Sequence, residues 1–412
     1  MIEMQNIAGP PVEGANFYAR TQVVASLVRD LRHHDVLLLG PRRIGKTSVA
    51  RAVLGSVRAA GGHGMEINVA ACGDEAAFVR RLTDAITSAA HGPLGQAYEA
   101  LKTHAATLTG RIDKIGLPGD VSVGLGAAAA EEWTSVATDA LRLFAHAEGR
   151  WLVYIDELPI MLTNFVREDP KTGVSRVRRF LDWFRNDVRA MPECKQVRWL
   201  LTGSVGLDTL VQRHGMADTI NTLRQHSLPP FERLVAVNLL RTLAHSYEID
   251  FGHEDAQYTV DAIGWPQPYY LQRVFNTLCA RARAGDGDRD PVTKAGIDEA
   301  IKRLTHRDED NDFHHWERRL ALQLGATDGA HAVALLTLAA ETRVGGRPAF
   351  LLDKLAERMP EATADDQRQR FIELRDVLLR DQYLRVDEAT GERRYRFCLE
   401  PLRVWWNRRH SL

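Results

Sequence analysis

Asp35-Val36-Leu37-Leu38-Leu39-Gly40-Pro41-Arg42-Arg43-Ile44-Gly45-Lys46-Thr47-Ser48-Val49-Ala50 is the stretch whose reading decides the fold. Val36–Leu39 is a short apolar run of the kind a buried parallel strand requires, and the residues after Thr47 continue with helical spacing through Leu54. Between them, Gly40 to Thr47 satisfies the full phosphate-loop pattern G-x-x-x-x-G-K-[ST] in its proper strand-to-helix context. The two glycines let the backbone wrap an anion with its N–H groups inward, and the following helix aims its positive dipole end at the same point. Gly40, Pro41, Arg42, Arg43, Ile44, Gly45, Lys46, Thr47 and Ser48 are therefore the expected nucleotide-binding loop. Lys46 would place a mobile charge on the β- and γ-phosphates, and Thr47 would offer a hydroxyl to Mg²⁺.

Upstream, Phe17, Tyr18 and Arg20 precede an amphipathic helix marked by Val23, Val24, Leu27, Val28 and Leu31. A segment there is placed to wall the base, with Phe17 or Tyr18 stacking on it and Arg20 touching it; core packing is the competing reading for the aromatics. Downstream, Met65–Val69 reads as a second strand and residues 74–90 as a helix. The Gly-rich segment within 91–133 reads as a hairpin or loop inserted into the domain, with no chemistry of its own.

Trp151-Leu152-Val153-Tyr154-Ile155-Asp156-Glu157 is the second strong signal. A nearly continuous apolar strand carries Asp156 to the carboxyl end of a parallel sheet, where it can help hold Mg²⁺, and sets Glu157 beside it to polarise water. Val197–Ser204 follows as another strand with a polar end. Ser204 is the first choice for a side chain that reads the γ-phosphate and Thr202 the second; a strand ending in a Gly-Ser turn is the structural alternative.

The remaining composition bounds the answer. A chain of 412 residues with 45% hydrophobic and 26% charged residues suits two or three soluble domains. No apolar run reaches the length of a membrane span and no basic-then-apolar leader opens the chain, so a cytoplasmic protein without a membrane partner is expected. Cys72, Cys194, Cys279 and Cys398 are widely spaced, which favours buried thiols over a zinc site or disulfides. His33-His34 and His314-His315 are adjacent pairs that face different sides of a helix, which suits surface or capping roles. A formal net charge of -1 argues against an all-over nucleic-acid coat but leaves room for a local patch. One arginine-rich amphipathic stretch lies between Ser175 and Ala190 and reads first as a solvated face.

Together, Phe-Tyr-x-Arg at Phe17, Gly-Pro-Arg-Arg-x-Gly-Lys-Thr-Ser at Gly40, Ile-Asp-Glu-Leu-Pro at Ile155, Thr-Gly-Ser at Thr202 and Leu-Pro-Pro-Phe at Leu228 resemble the archaeal-type ATPases of the AAA+/STAND superclass, from about Phe17 to the C-terminus. The resemblance implies a three-layer α/β/α P-loop core over 1–230, an all-α lid over 231–328 and a winged-helix domain over 329–412. It also implies ATP and Mg²⁺ as ligands, hydrolysis of ATP, and assembly into a homo-oligomer on ATP binding. Gly264-Trp265-Pro266 resembles the Gly-x-Pro element of such lids, whose proline sits against the nucleotide; a helix-starting turn is equally compatible. Gln267 stands where a lid arginine would be expected. Arg224, with Arg213 second, fits the location of an arginine finger, and an ordinary surface arginine is the competing reading.

In the tail, three helical patterns and a hairpin around Gly391 make a winged helix. Arg394, Arg396, Arg408 and Arg409, interleaved with Tyr395, Trp405 and Trp406, are candidates for DNA contact, with docking of a protein partner the equal alternative. The expectation is an ATP-hydrolysing switch. The alternatives are a nucleotide-gated DNA-binding protein of the replication-initiator or transposition-regulator type, and a STAND-like sensor in antiviral defence.

Overall fold

Val36–Gly40, the strand of the deciding stretch, is an interior strand of a five-stranded sheet, one in from the edge, with no exposed residue along it. The structure, a computed structural model, describes residues 4–90, 127–142, 144, 149–204, 206–284, 292–308, 310–389 and 391–411. Most of the insert expected over 91–133 lies outside the described residues, while its last part belongs to the helix Ala127–Arg142. The chain divides into two units, one of Arg20–Gly40 and Lys46–Leu228, the other of Met1–Ala19, Pro41–Gly45 and Pro229–Leu412.

The first unit is built on β1 (Val36–Gly40), β2 (His63–Asn68), β3 (Trp151–Asp156), β4 (Val197–Ser204) and β5 (Arg224–Ser227), in the order β2-β3-β4-β1-β5. Every pairing is parallel, so all five strands deliver their carboxyl ends to one edge. Parallel strands joined by helical crossovers are covered on both faces, and the burial shows it. Leu37, Leu39, Val153, Ile155 and Leu201 join one apolar cluster with Met161, Leu162, Phe165 and Phe180, while the alternate residues Val36, Leu38, Leu152, Tyr154 and Leu200 are buried outside that cluster. β5 is short and polar, as an edge strand can be, and the four residues Arg-Gln-His-Ser carry no apolar period by which to find it.

Four of the five arginines between Ser175 and Ala190 fasten this unit together. Arg176 pairs with Glu75, Arg178 with Asp182 and Asp218, Arg185 with Asp218, and Arg189 with Asp35. These four are tied to acids of the same unit, which leaves Arg179 as the exposed arginine of the stretch.

The second unit is helical apart from one hairpin. Helices Arg233–Ser246, His253–Ile263, Pro268–Ala284 and Lys294–Arg303 come first, then Asn311–Ala340, which is kinked at Gly325 where φ is 77°. Pro348–Ala356, Ala364–Arg380, the antiparallel pair β6 (Leu384–Asp387) and β7 (Arg394–Phe397), and Glu400–His410 complete it. One apolar core runs from Phe231 to Trp406 without interruption. Trp405 and Trp406 are inside it at 1% and 0% exposure, and Tyr395 is buried as well, so packing has taken the aromatics interleaved with the tail arginines.

A buried ion pair crosses this core. Arg319 lies 3.2 Å from Asp381, which is fully buried and has Arg380 as a second, more distant cation at 3.5 Å. Breaking such a pair leaves an uncompensated charge in a medium of low polarity, whereas replacing both partners with apolar groups does not. Asp381→Leu is therefore expected to destabilise this unit by about 3–5 kcal/mol in urea denaturation followed by tryptophan fluorescence, with much of the loss restored in Arg319→Met/Asp381→Leu. A single variant within about 0.5 kcal/mol of the parent would contradict the assignment.

Candidate nucleotide site

β1 ends in the loop because its polar continuation cannot stay in a buried strand. Ile44 anchors the crest at 1% exposure, and its N–H donates back to the Pro41 carbonyl over 3.4 Å. Arg43 and Gly45 both take positive φ, 66° and 99°. Left-handed residues in such a turn aim neighbouring amides toward a common point, which is how backbone nests receive anions. The helix Lys46–Ala59 starts immediately after, and the Lys46 ammonium donates to the Gly40 carbonyl over 3.0 Å. With Lys46 only 5% exposed, its charge is held at the base of the loop.

The carboxyl edge of the sheet then brings three strands' ends together. Thr47 Oγ1 donates to Asp156 Oδ2 over 3.1 Å, and Thr202 Oγ1 donates to Asp156 Oδ1 over 2.5 Å. Asp156 is 4% exposed and Thr202 fully buried. Each carboxylate oxygen is thus oriented by a separate hydroxyl, one from the loop helix and one from β4. Tyr154, two residues back on the same strand, lies 3.4 Å from Thr202 Oγ1, and burial pushes its phenol far above the ordinary tyrosine range.

Glu157 occupies the turn between β3 and the helix Leu158–Glu168 with φ 60° and ψ 35°. That conformation costs a non-glycine residue on the order of 1 kcal/mol or more, and such residues gather where function holds them. One of its carboxylate oxygens, Oε2, is buried with no hydrogen-bond partner among the described residues. A carboxylate oxygen kept from protein donors is free to accept from a water or a substrate hydroxyl.

Gly203 explains the Thr-Gly-Ser element. It lies inside β4, not in a turn, and a Cβ built on it would collide with the ring of Pro159. Pro159 begins the helix behind Glu157, so the close approach of β4 to that helix requires glycine. Ser204, the first choice from sequence, ends β4 opposite Gly40; Thr202, the second choice, is the residue that touches Asp156.

The other candidates are dispersed. Arg224 begins β5 opposite Val36, at the amino end of the strands, and its side chain is 64% exposed with Asp30 3.5 Å away. The register explains this: with Arg224 paired to Val36, four residues of β1 separate it from the loop, so it does not join the site of its own chain. Arg20 is 7% exposed and burial lowers its pKa to about 10. Phe17 is half-buried, and Tyr18 packs edge-on against Phe231 with centroids 6.2 Å apart, as core packing would have it.

Within the second unit, Pro266 accepts from the Phe231 N–H over 3.1 Å. Gln267, fully buried, donates from Nε2 to the Arg42 carbonyl over 2.8 Å. Arg43 pairs with Asp312 at 2.6 Å and lies 4.0 Å over the ring of Tyr269, whose hydroxyl donates to the same carboxylate over 2.6 Å. Asp312 and Tyr269 escaped the sequence reading because neither belongs to a motif; the only signal was the pair of arginines in the loop.

The four tail arginines are engaged internally. Arg394 lies 3.2 Å from Glu392, Arg396 lies 2.6 Å from Asp387, Arg408 donates to the Thr305 carbonyl, and Arg409 lies 2.7 Å from Glu317 and over the Trp405 ring. The span that looks basic in sequence has acids supplied by β6, the hairpin turn and Asn311–Ala340.

Because Thr202 orients Asp156, Thr202→Val is expected to lower ATP turnover at least about tenfold, with Thr202→Ser retaining most of it, in a phosphate-release assay. Equal turnover in Thr202→Val and the parent would show that the hydroxyl has no part in the site.

No protein-family model and no curated protein matches this sequence. Solved structures match over nearly its whole length. The Walker-type ATPase PABY2304 of Pyrococcus abyssi is similar with a TM-score of 0.59 at 16% identity, over 97% of this chain and 99% of that one. The Aeropyrum pernix ORC2 protein in its ADPNP–ADP complexes is similar with a TM-score of 0.54 at 14% identity, over 99% of this chain and 98% of that one. At such identities the likeness is one of fold, and the chain has the α/β fold of the P-loop ATPases.

Proposed function

We propose that the chain is an ATP-hydrolysing molecular switch. The observation that carries this reading is the cluster at the sheet edge: Asp156 oriented by Thr47 and Thr202, with the unpartnered Glu157 oxygen beside it on the next residue. The ORC2 structure of similar fold holds ADPNP and ADP, which supports an adenine nucleotide here.

The residues fit a nucleotide with its magnesium ion. Asp156 is a buried carboxylate whose two donors are neutral hydroxyls, so its charge would be matched by a cation. Thr47 and Asp156 would hold Mg²⁺, which neutralises charge on the phosphates when bound. Lys46 leaves the Gly40 carbonyl for phosphate oxygens, the loop amides of Gly40–Thr47 bind the rest, and Glu157 accepts a hydrogen bond from the attacking water and orients it. Nucleotide state would act on Gln267, Tyr269 and Asp312 through the loop residues of their own unit, since Arg42 and Arg43 are tied to them by backbone and side chain.

Purified protein is expected to hydrolyse ATP in the presence of magnesium. Glu157→Gln should lower turnover by about 10² or more while keeping ATP binding, whereas Lys46→Ala should weaken both. Full turnover in either variant, measured by phosphate release, would refute the proposal.

A further inference from the structure

A cleft of about 570 Å³ in the second unit is lined by Arg42, Arg43, Asn311, Asp312, His314, His315 and Arg318. Three arginines thus face one carboxylate. That carboxylate is already spent: Asp312 is paired with Arg43 at 2.6 Å, accepts from the Tyr269 hydroxyl over 2.6 Å, and has Arg273 3.6 Å away. Arg42 and Arg318 are both exposed, and among the described residues neither has an acidic partner. Arg42 instead meets His315, Nη1 to Nε2, at 3.1 Å. A guanidinium donates and cannot accept, so the His315 nitrogen facing it must be an unprotonated acceptor. Arg318 stands one turn further along the same helix, three residues from His315, on the neighbouring position of that face.

We propose that this cleft is a binding site for a phosphate-bearing anion, held by Arg42 and Arg318. The chemistry of the lining selects the ligand class. Two guanidiniums without an acidic partner among the described residues offer forked donors that match phosphate oxygens, and the neutral imidazole lining the same cleft adds no competing acid. The field of the arginines is visible in His315 itself, whose pKa is lowered to about 4 by burial and by Arg42, Arg319 and Arg318. The contrast with the tail is direct, because Arg394, Arg396 and Arg409 already have carboxylates and these two do not. None of the side chains lining the cleft is Lys46, Thr47 or Asp156, so a substitution at Lys46 leaves the cleft's own groups in place.

A free oligophosphate and the backbone of a nucleic acid present the same phosphate chemistry, and one experiment separates them. Tripolyphosphate and a short DNA duplex are titrated at low salt into the full chain carrying Lys46→Ala, so that the nucleotide cradle is disabled, and then into the same chain carrying Arg318→Glu or Arg318→Lys as well. At least one probe is expected to bind the Lys46→Ala protein, to lose at least about tenfold in affinity with Arg318→Glu and to lose less with Arg318→Lys. Loss confined to tripolyphosphate identifies a small oligophosphate ligand. Loss confined to the duplex, with its log–log salt slope reduced by about one, identifies nucleic acid. Binding of neither probe, or binding indifferent to Arg318→Glu, overturns the site. Arg318→Glu alone, with Lys46 intact, should keep its ATP turnover, so failure of this site leaves the ATPase reading standing.

Discussion

Everything at the carboxyl edge of the sheet depends on keeping one carboxylate where water cannot reach it freely. Asp156 is 4% exposed at the end of a strand buried along its entire length, and its two oxygens accept from two hydroxyls. Burying an ionised group is costly unless it is hydrogen-bonded and its charge matched. Thr47 and Thr202 meet the first condition and, being neutral, leave the second to a cation. The strand order makes the arrangement possible: β4 lies between β3 and β1, so the loop after β1 and the acid after β3 flank the β4 hydroxyl. Had β3 paired directly with β1, no third strand would contribute a group between them.

The same edge concentrates strained backbone. Arg43 and Glu157 are both non-glycine residues in the left-handed region, one in the loop and one immediately after the buried acid. A glycine at either place would relax the turn and remove the side chain that the site uses. Gly203 shows the opposite trade. There the side chain is absent so that Pro159 can lie against β4, which fixes the start of the helix that carries Glu157 at its entrance. The conformations on β3 and β4 are therefore linked by packing as well as by the Asp156–Thr202 hydrogen bond.

Legibility in the sequence followed chemistry that is local along the chain. That the loop, Lys46, Thr47 and Asp156 gather at one end of the strands was readable because the loop pattern is contiguous along the chain and because an acid closing a buried strand needs a cation or donors close by. The strands from Val36, Met65, Trp151 and Val197 were readable for the same reason, since an apolar run needs no partner to be recognised. β5 was not, because a four-residue polar edge strand acquires its identity only from β1 beside it. The pattern puts Thr202 and Ser204 on one face of the strand and favours Ser204 at its end, whereas Thr202 is the one that touches Asp156. Asn311–Leu324 was also missed as helix. Its charged and histidine-rich sequence hides the stripe of Phe313, Trp316 and Leu320 that the core uses, and with it the positions of Asp312 and Arg318.

Arginine content illustrates why composition alone misplaces function. A residue is a binding group only while its charge remains uncompensated, and the sequence does not show which acids come near. In the helix from Gly173 to Trp183 and in β7, acids distant in sequence have taken up the arginines: Glu75 for Arg176, Asp218 for Arg178, Asp387 for Arg396. Those guanidiniums lock elements together and have little left to offer a ligand. At the crest of the loop the outcome divides between neighbours. Arg43 is claimed by Asp312 and Tyr269 of its own unit, while Arg42 spends its carbonyl on Gln267 and keeps its guanidinium toward an uncharged imidazole. Two adjacent residues of one motif therefore do different work, and the difference follows from where Asp312, the carboxylate lining that cleft, lies.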